Sequence, residues 1–351
     1  MPVSHKRIVV GDRSCLIATD GEYGRHLGER FEPSTSALLA ALCDPSSHVL
    51  DIGANIGVTA LLFSSLTPEG TVNAVEPVPA AFKLLDENVT TAAARNVTLH
   101  NFALGSESGS VHMQGARDNL SGSFVADKHS IDDEGHFDTE VALHRLDDVV
   151  SRFGAERIDL VKMDVEGYEL EVLEGARAML QAHRPVVVLE MNYVALNLWR
   201  KMPLPEFRDR LLEIFPYVYA TQDGQWLDFR DSKQGHHIMF SHLTSWAYMD
   251  IVAGFDDEDL RRRLQRTGPA RQRFDQAASE LLAAAAHRDL VEEQERRIAQ
   301  LSAALEAADR RVDELEVISA SARKMVSDME GSRSWRLTAP LRAFRRSLRR
   351  D

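Results

Sequence analysis

Cysteine is nearly missing from this chain, with two residues in 351, Cys15 and Cys43. Two are too few for a disulfide framework or a metal cluster, and a reducing cytoplasm is the compartment expected of such usage. No apolar run approaches the roughly 20 residues of a membrane helix. The opening stretch Met1-Pro2-Val3-Ser4-His5-Lys6-Arg7 lacks the apolar core of a secretory signal. The G-x-G-x-x-G pattern of a dinucleotide site is missing too. What remains is ordinary for a soluble globular protein: 44% hydrophobic residues, in a chain long enough for a substantial core and, by length, two domains.

Charge is plentiful but unevenly placed. The formal net charge is −13. From Gly331 onward seven arginines face one acid, Asp351, so this tail carries +6 and leaves −19 for the rest. An acidic body repels nucleic acid, whereas a basic tail is drawn to anionic surfaces.

The stretch Val49-Leu50-Asp51-Ile52-Gly53-Ala54-Asn55-Ile56-Gly57 predicts a short buried strand, a glycine turn and a helix start. Val72-Asn73-Ala74-Val75-Glu76-Pro77 predicts a second strand that ends in an acid. Glycine lets a ligand approach the backbone, and a carboxylate at the next strand's end can accept from both hydroxyls of a ribose. Asp51, at the end of its strand, would face a positively charged amino group. This charge logic fits S-adenosylmethionine, which carries an ammonium and a sulfonium and no phosphate. A nicotinamide dinucleotide, seated by its pyrophosphate on the helix N-terminus, is the competing reading, and a plain tight turn is the third.

Three segments then resemble the FkbM family of S-adenosylmethionine-dependent methyltransferases: Asp51-Ile52-Gly53-Ala54-Asn55-Ile56-Gly57, Glu76-Pro77, and Lys162-Met163-Asp164-Val165-Glu166-Gly167-Tyr168-Glu169. The resemblance covers residues 28–243. It implies a Rossmann-like methyltransferase domain that acts mostly on hydroxyl oxygens of sugars, polyketides and related metabolites. It also places Glu32, just before a helix, near the cofactor.

The order of predicted elements is strand, helix, strand, helix, strand over residues 49–102, which argues for a doubly wound parallel sheet. Such sheets bind ligands at the carboxyl ends of their strands. The expected cofactor rim is therefore Asp51, Gly53, Asn55, Gly57, Glu76, Pro77, Asn101 and Phe102, with Glu32. Residues 105–145 read as short strands with a mobile loop at 127–138, lying over the pocket. Strand four, ending at Asp164, and strand five, ending at Glu190-Met191-Asn192, bring the chemistry. Asp164 is the expected general base, Glu190 its rival, and Lys162 a cation that lowers the base's pKa or steadies an alkoxide. Glu166 and Glu169 are expected to cap the following helix. His144 is a weaker candidate base, and His236-His237 is too little for a metal site. Asp164, Glu166 and Glu190 could hold Mg²⁺ against a sugar diol, although no spacing demands it. Tyr217-Val218-Tyr219, 225–229 and His237-Ile238-Met239-Phe240 suit the closing strands of a seven-stranded sheet.

From about Asp256 glycine fades and Ala, Glu, Arg, Gln and Leu dominate. Val291, Ile298, Leu305, Val312, Ser319 and Val326 hold one heptad position. Gln294, Leu301, Ala308, Leu315, Ala322 and Met329 hold the other. This predicts a coiled coil, against a single helix packed on the enzyme. The tail Ser332-Arg333-Ser334-Trp335-Arg336-Leu337-Thr338-Ala339-Pro340-Leu341-Arg342 resembles those that follow coiled coils in bacterial surface-polysaccharide glycosyltransferases and methyltransferases. Trp335, the face of Leu341, Phe344 and Leu348, and the arginines suit an anionic bilayer. The expected divisions are 1–30, 31–250 (methyltransferase), 256–330 (coiled coil) and 331–351 (basic tail). The expected function is O-methylation of a sugar hydroxyl on a surface glycan or its lipid-linked precursor, in the cytoplasm or on the inner membrane face. A homo-oligomer or a glycosyltransferase is the expected partner, and nucleic acid is not. A metabolite methyltransferase, an oxidoreductase and a non-catalytic scaffold are the alternatives.

Overall fold

An N-terminal hairpin, β1 (Ser4–Val10) and β2 (Arg13–Thr19), precedes the main sheet. In the computed structural model, which describes residues 3–21, 23–117, 119–338 and 340–342, this hairpin buries Ile8-Val9-Val10 against Ile17 and Ala18. The amide of Asn88 clamps it from below, taking the Ala18 N–H at 2.6 Å and donating to the Ala18 carbonyl at 2.9 Å. Two helices follow, α1 (Tyr23–His26) and α2 (Pro33–Leu42), the second with proline in its first turn.

The central segment alternates as expected: β3 (Val49–Ile52), α3 (Val58–Leu66), β4 (Val72–Val75), α4 (Pro79–Thr91), β5 (Val97–His100). β3 and β4 are buried along their whole length, which is why each is apolar but for one residue, Asp51 or Asn73, and shows no regular alternation. Four strands then form a separate sheet in the order β6-β9-β7-β8: β6 (Ala103–Gly105), β7 (Gly109–Ala116), β8 (Asn119–Val125) and β9 (His136–Arg145).

After α5 (Leu146–Val149) the main sheet resumes with β10 (Leu160–Met163), α6 (Glu169–Glu174), α7 (Arg177–His183), β11 (Val186–Glu190), a π turn at Ala195–Trp199, and α8 (Leu204–Ile214). It closes with β12 (Tyr217–Gln222), β13 (Gln225–Asp228), α9 (Ser232–Ser245) and β14 (Asp250–Gly254). The strand order is β13-β12-β14-β11-β10-β3-β4-β5. Strands β5, β4, β3, β10 and β11 run parallel, and β14 inserts antiparallel between β11 and β12. The doubly wound seven-stranded sheet is thus present, with β13 as an eighth, edge strand. The order reverses between β3 and β10, and this opens a crevice at their carboxyl ends.

Two expectations are corrected here. His237-Ile238-Met239-Phe240 is not a strand but part of α9. Asp231 caps this helix by accepting the Gln234 N–H at 2.8 Å, and its buried residues Gly235, Ile238 and His242 fall at helical spacing. The strand that closes the sheet is β14, whose Ile251-Val252-Ala253 run is fully buried. The compact unit runs from Met1 to Leu282 and not from 31 to 250. It includes the hairpin, α10 (Asp257–Leu264) and the first turns of α11 (Thr267–Gly331), where Ala270, Phe274 and Ala278 are buried.

The second unit, Ala283–Asp351, contains the rest of α11 and the short helix α12 (Arg333–Leu337). No residue of α11 beyond Ala278 is buried. No described helix is long and apolar enough to cross a membrane. In the tail the Arg342 guanidinium lies 3.5 Å over the Trp335 ring, while Phe344 and Leu348 fall outside the described residues.

Candidate active site

Glycine is required where β3 turns. A Cβ on Gly53 would lie 1.8 Å from the Asp164 carbonyl oxygen, and Gly53 itself has φ +76°. The missing side chain lets the end of β3 press against the end of β10 and forms the floor of the crevice. Gly57, φ +91°, is confined in the same way by Leu85. Three other residues of the crevice, Glu32, Asn55 and Glu166, hold positive φ without being glycine, an arrangement that concentrates at functional sites.

Two cavities meet at this floor. Gly53, Asn55 and Asp164 line both. The first is walled by Phe102, Leu104, Met113, Leu120 and Val125, with Glu76 and Pro77 at the strand ends. Its roof comes from β7 and β8, so residues 105–145 do lie over the pocket. The second is lined by Glu32, Lys162, Asp164, Glu190 and Asp250, with Tyr23 and Phe31.

Glu76 is 6% exposed. It accepts the Asn55 N–H at 2.9 Å on one oxygen and the Val78 N–H at 2.8 Å on the other. Both bonds aim the carboxyl and leave lone pairs free for a diol. Burial outweighs these bonds and pushes its pKa up to about 7.

The backbone donors of the glycine turn are committed internally. Gly53 and Ala54 donate to the Val75 carbonyl, Asn55 to Glu76, and Gly57 to the Ala54 carbonyl. A pyrophosphate would need those same N–H groups. These four amides are therefore closed to a phosphate, in keeping with the missing third glycine.

Asp51 is fully buried and lines neither cavity. The Thr59 hydroxyl donates to it at 2.7 Å, and its other oxygen lies 3.6 Å from Lys162 Nζ. Its direct partner is thus a lysine of the neighbouring strand, brought opposite by the β3–β10 register of Asp51 with Lys162. Lys162 also reaches the Gly53 carbonyl at 3.3 Å and Asp164 at 3.5 Å. Burial opposes its charge, but Asp164, Asp51, Glu32 and Glu190 outweigh it, so the ammonium is held charged.

The remaining carboxyls are crowded. Burial, then Asp164, pushes Glu190 and Glu166 well above the usual carboxylate range. Asp250 rises to about 6, with burial as its largest cause. Glu32 rises to about 7 for the same reason, but it remains exposed at the cavity mouth, so the crowding weighs less there. Glu169 does anchor the turn, accepting from the Val165 and Gly167 N–H groups at 3.2 and 3.3 Å. Glu166 does not cap the helix. It lines the first cavity and accepts from Asn192 Nδ2 at 3.3 Å.

Asn101 lines neither cavity and braces the turn after β4 by donating to the Glu76 and Pro77 carbonyls at 2.8 and 3.1 Å. His144 packs edge-on to Phe102, 5.0 Å between ring centres. His237 lies beside Tyr248, away from both cavities. Among the described residues no group of three or more His, Cys, Asp or Glu side chains has metal-holding geometry.

Four residues of this region escape sequence reasoning. Asp250 enters at the start of β14, and Tyr23 enters from α1. Tyr168 lines the first cavity, and the Arg200 guanidinium lies 4.6 Å over its ring. Arg200 is 3% exposed and ion-paired to both Asp127 and Glu171, so it ties the loop after β8 to α6. The apolar run after Asp250 was the available signal for β14. Tyr168 stands inside the Lys162–Glu169 segment, whereas Tyr23 and Arg200 carry no signal, because only the tertiary packing brings them in.

The family model described as the methyltransferase FkbM domain matches residues 51–229. Methyltransferase sdnD of Sordaria araneosa is 31% identical over 154 residues, 36% of this chain and 59% of that protein. The 2-O-methyltransferase NoeI of Sinorhizobium fredii is 29% identical over 177 residues, 46% of this chain and 72% of its own length. The hexuronic acid methyltransferase AglP of Haloferax volcanii is 30% identical over 159 residues, 45% and 62% respectively. An FkbM methyltransferase structure from Methylobacillus flagellatus aligns over 66% of this chain and 50% of that one, at 17% identity and a TM-score of 0.41.

Proposed function

This chain belongs to the FkbM methyltransferase family, and from that premise we propose that it transfers the methyl group of S-adenosylmethionine to a hydroxyl oxygen of a sugar. The observation that carries the cofactor is the charge of the crevice: four carboxyls and one lysine line the second cavity, and the turn amides are spent. A cation entering such a site draws its raised carboxyls back to the ionised form, whereas a pyrophosphate gains no such partner. Glu76 would hold the ribose diol, Phe102 and Leu104 the base, and the acids of the second cavity the positively charged end.

The cofactor supplies an electrophilic methyl on a sulfonium. The chain's own work is to place a hydroxyl oxygen in line with it and to take the proton. Asp164 borders both cavities, so it would lie beside the middle of a cofactor that spans them, where the methyl is carried. There it would accept the hydroxyl proton as the oxygen takes the methyl and the methyl–sulfur bond breaks, the sulfur leaving as a neutral thioether. Lys162, 3.5 Å away, positions the Asp164 carboxylate.

The carboxyls of the second cavity favour a neutral acceptor over an anionic one. The name of NoeI supports transfer to oxygen, and that of AglP supports a sugar acceptor. The basic tail supports a glycan handled at an anionic membrane face. A radiolabelled methyl assay with neutral hexose glycans and their uronic acid counterparts tests the reading. Label on an ether oxygen of the neutral glycan is the expected product. Preferential labelling of the uronic acid, or calorimetric binding of a nicotinamide dinucleotide in place of S-adenosylmethionine, would overturn it.

A further inference from the structure

The heptad track of α11 from Val291 to Met329 is one uninterrupted helix, about 58 Å long at 1.5 Å per residue. Its apolar stripe is open to solvent in the single chain, with Ile298, Leu301 and Leu305 each more than 60% exposed. A stripe of this length calls for a partner helix. The order of residues along it specifies which one.

Two of its core positions are polar, Gln294 and Ser319. A parallel, in-register pair of identical helices sets Gln294 against Gln294 and Ser319 against Ser319, so each polar layer stays polar. A fully overlapped antiparallel pair sets Gln294 against Val326 and Ser319 against Leu301, which buries polar groups on apolar ones. The flanks agree. In the parallel pair Arg311 faces Glu316 of the other copy on both sides of the seam, and no like charges meet. In the antiparallel pair Arg311 meets Arg311 and Asp309 meets Asp309 at the midpoint, with Glu295 and Arg323 its one favourable pairing. In the single chain Arg311 is spent only on an exposed contact to Glu314 at 2.8 Å, which is readily exchanged. Valine or isoleucine at positions 291, 298, 312 and 326, with leucine at 301 and 315, favours two strands over three.

We propose that residues 291–329 pair with a second copy of this chain as a parallel, in-register, two-stranded coiled coil. The two arginine-bearing tails then emerge side by side, so that an anionic surface meets two basic segments at once.

The test uses the full-length chain. Light scattering should give twice the 39.2 kDa chain mass, and a monomer or a trimer overturns the proposal. In a Cys15→Ser background, Leu301→Cys alone and Ser319→Cys alone should each form a disulfide-linked dimer on oxidation. Cross-linking only when the two variants are mixed would show the antiparallel pair and overturn it. Arg311→Glu should weaken dimerisation about five-fold at low salt, and adding Glu316→Arg should restore it. Failure of that rescue rejects the register.

Discussion

The cavity under β7 and β8 is walled by Phe102, Leu104, Met113, Leu120 and Val125, whereas the one beside it, under Tyr23 and Phe31, is crowded with Glu32, Asp164, Glu190 and Asp250 around Lys162. They share a floor of Gly53, Asn55 and Asp164. An apolar slot can hold a flat base by burial alone, at roughly 25 cal/mol per Å². The acidic cavity can do little by burial and acts through charge. One ligand that spans both must therefore be apolar and hydrogen-bonding at one end and cationic at the other. The division also separates two tasks, since substitutions in the slot should change affinity and those at the floor should change rate.

The sharpest way to break this comparison is Asp164→Asn. If the shared floor carries the proton transfer, the turnover number should fall about 10²- to 10⁴-fold, while the cofactor dissociation constant measured by calorimetry moves less than about three-fold. Retained turnover would shift the role to Glu190.

The lysine under the acidic cavity comes next. Lys162→Met leaves Asp51 buried without its counter-charge, which should cost about 3–5 kcal/mol in chemical denaturation. Asp51→Asn added to it should recover much of that loss. If the double variant is no more stable than the single one, the Asp51–Lys162 pair is not what holds the ends of β3 and β10.

The smallest effect is the pH dependence of the ligand-free chain. Glu76 and Glu169 are each raised from 4.5 to about 7 by burial, so between those values the folded state binds more protons than the unfolded one. Stability is then highest below pH 4.5 on this account and falls as pH rises to about 7, by up to about 3 kcal/mol per carboxyl. Glu76→Gln should flatten part of that fall in thermal denaturation profiles, and S-adenosylmethionine should bind more tightly as Glu76 ionises. A stability profile that rises over this window would reverse the assignment.

Much of the site could be read along the chain. The glycine turn, the acid that ends β4 and the Lys162–Glu169 segment lie within a few residues of their own strands, so local spacing carries them to the rim. The closing region could not be read as well. His237–Phe240 looks like a strand because its apolar residues are adjacent, but Asp231 starts a helix there and buries Ile238 and His242 on one face. The strand that closes the sheet is β14, which starts at Asp250. Glu166 departs from expectation because a carboxylate at a helix start usually caps, whereas here it holds a positive φ and lines the cavity.

Sequence by itself determined the parallel half of the sheet, the turn that only glycine can make, and the acids at the strand ends, because each depends on neighbours a few residues away. It also determined the heptad track, a matter of period alone. Tertiary structure decided that Asp51 lies against Lys162 beneath the cavities, that Tyr23 and Asp250 enter the acidic cavity, and that Arg200 ties down the loop over the apolar one. Those outcomes depend on strand register and on packing between segments tens to hundreds of residues apart, which no local pattern encodes.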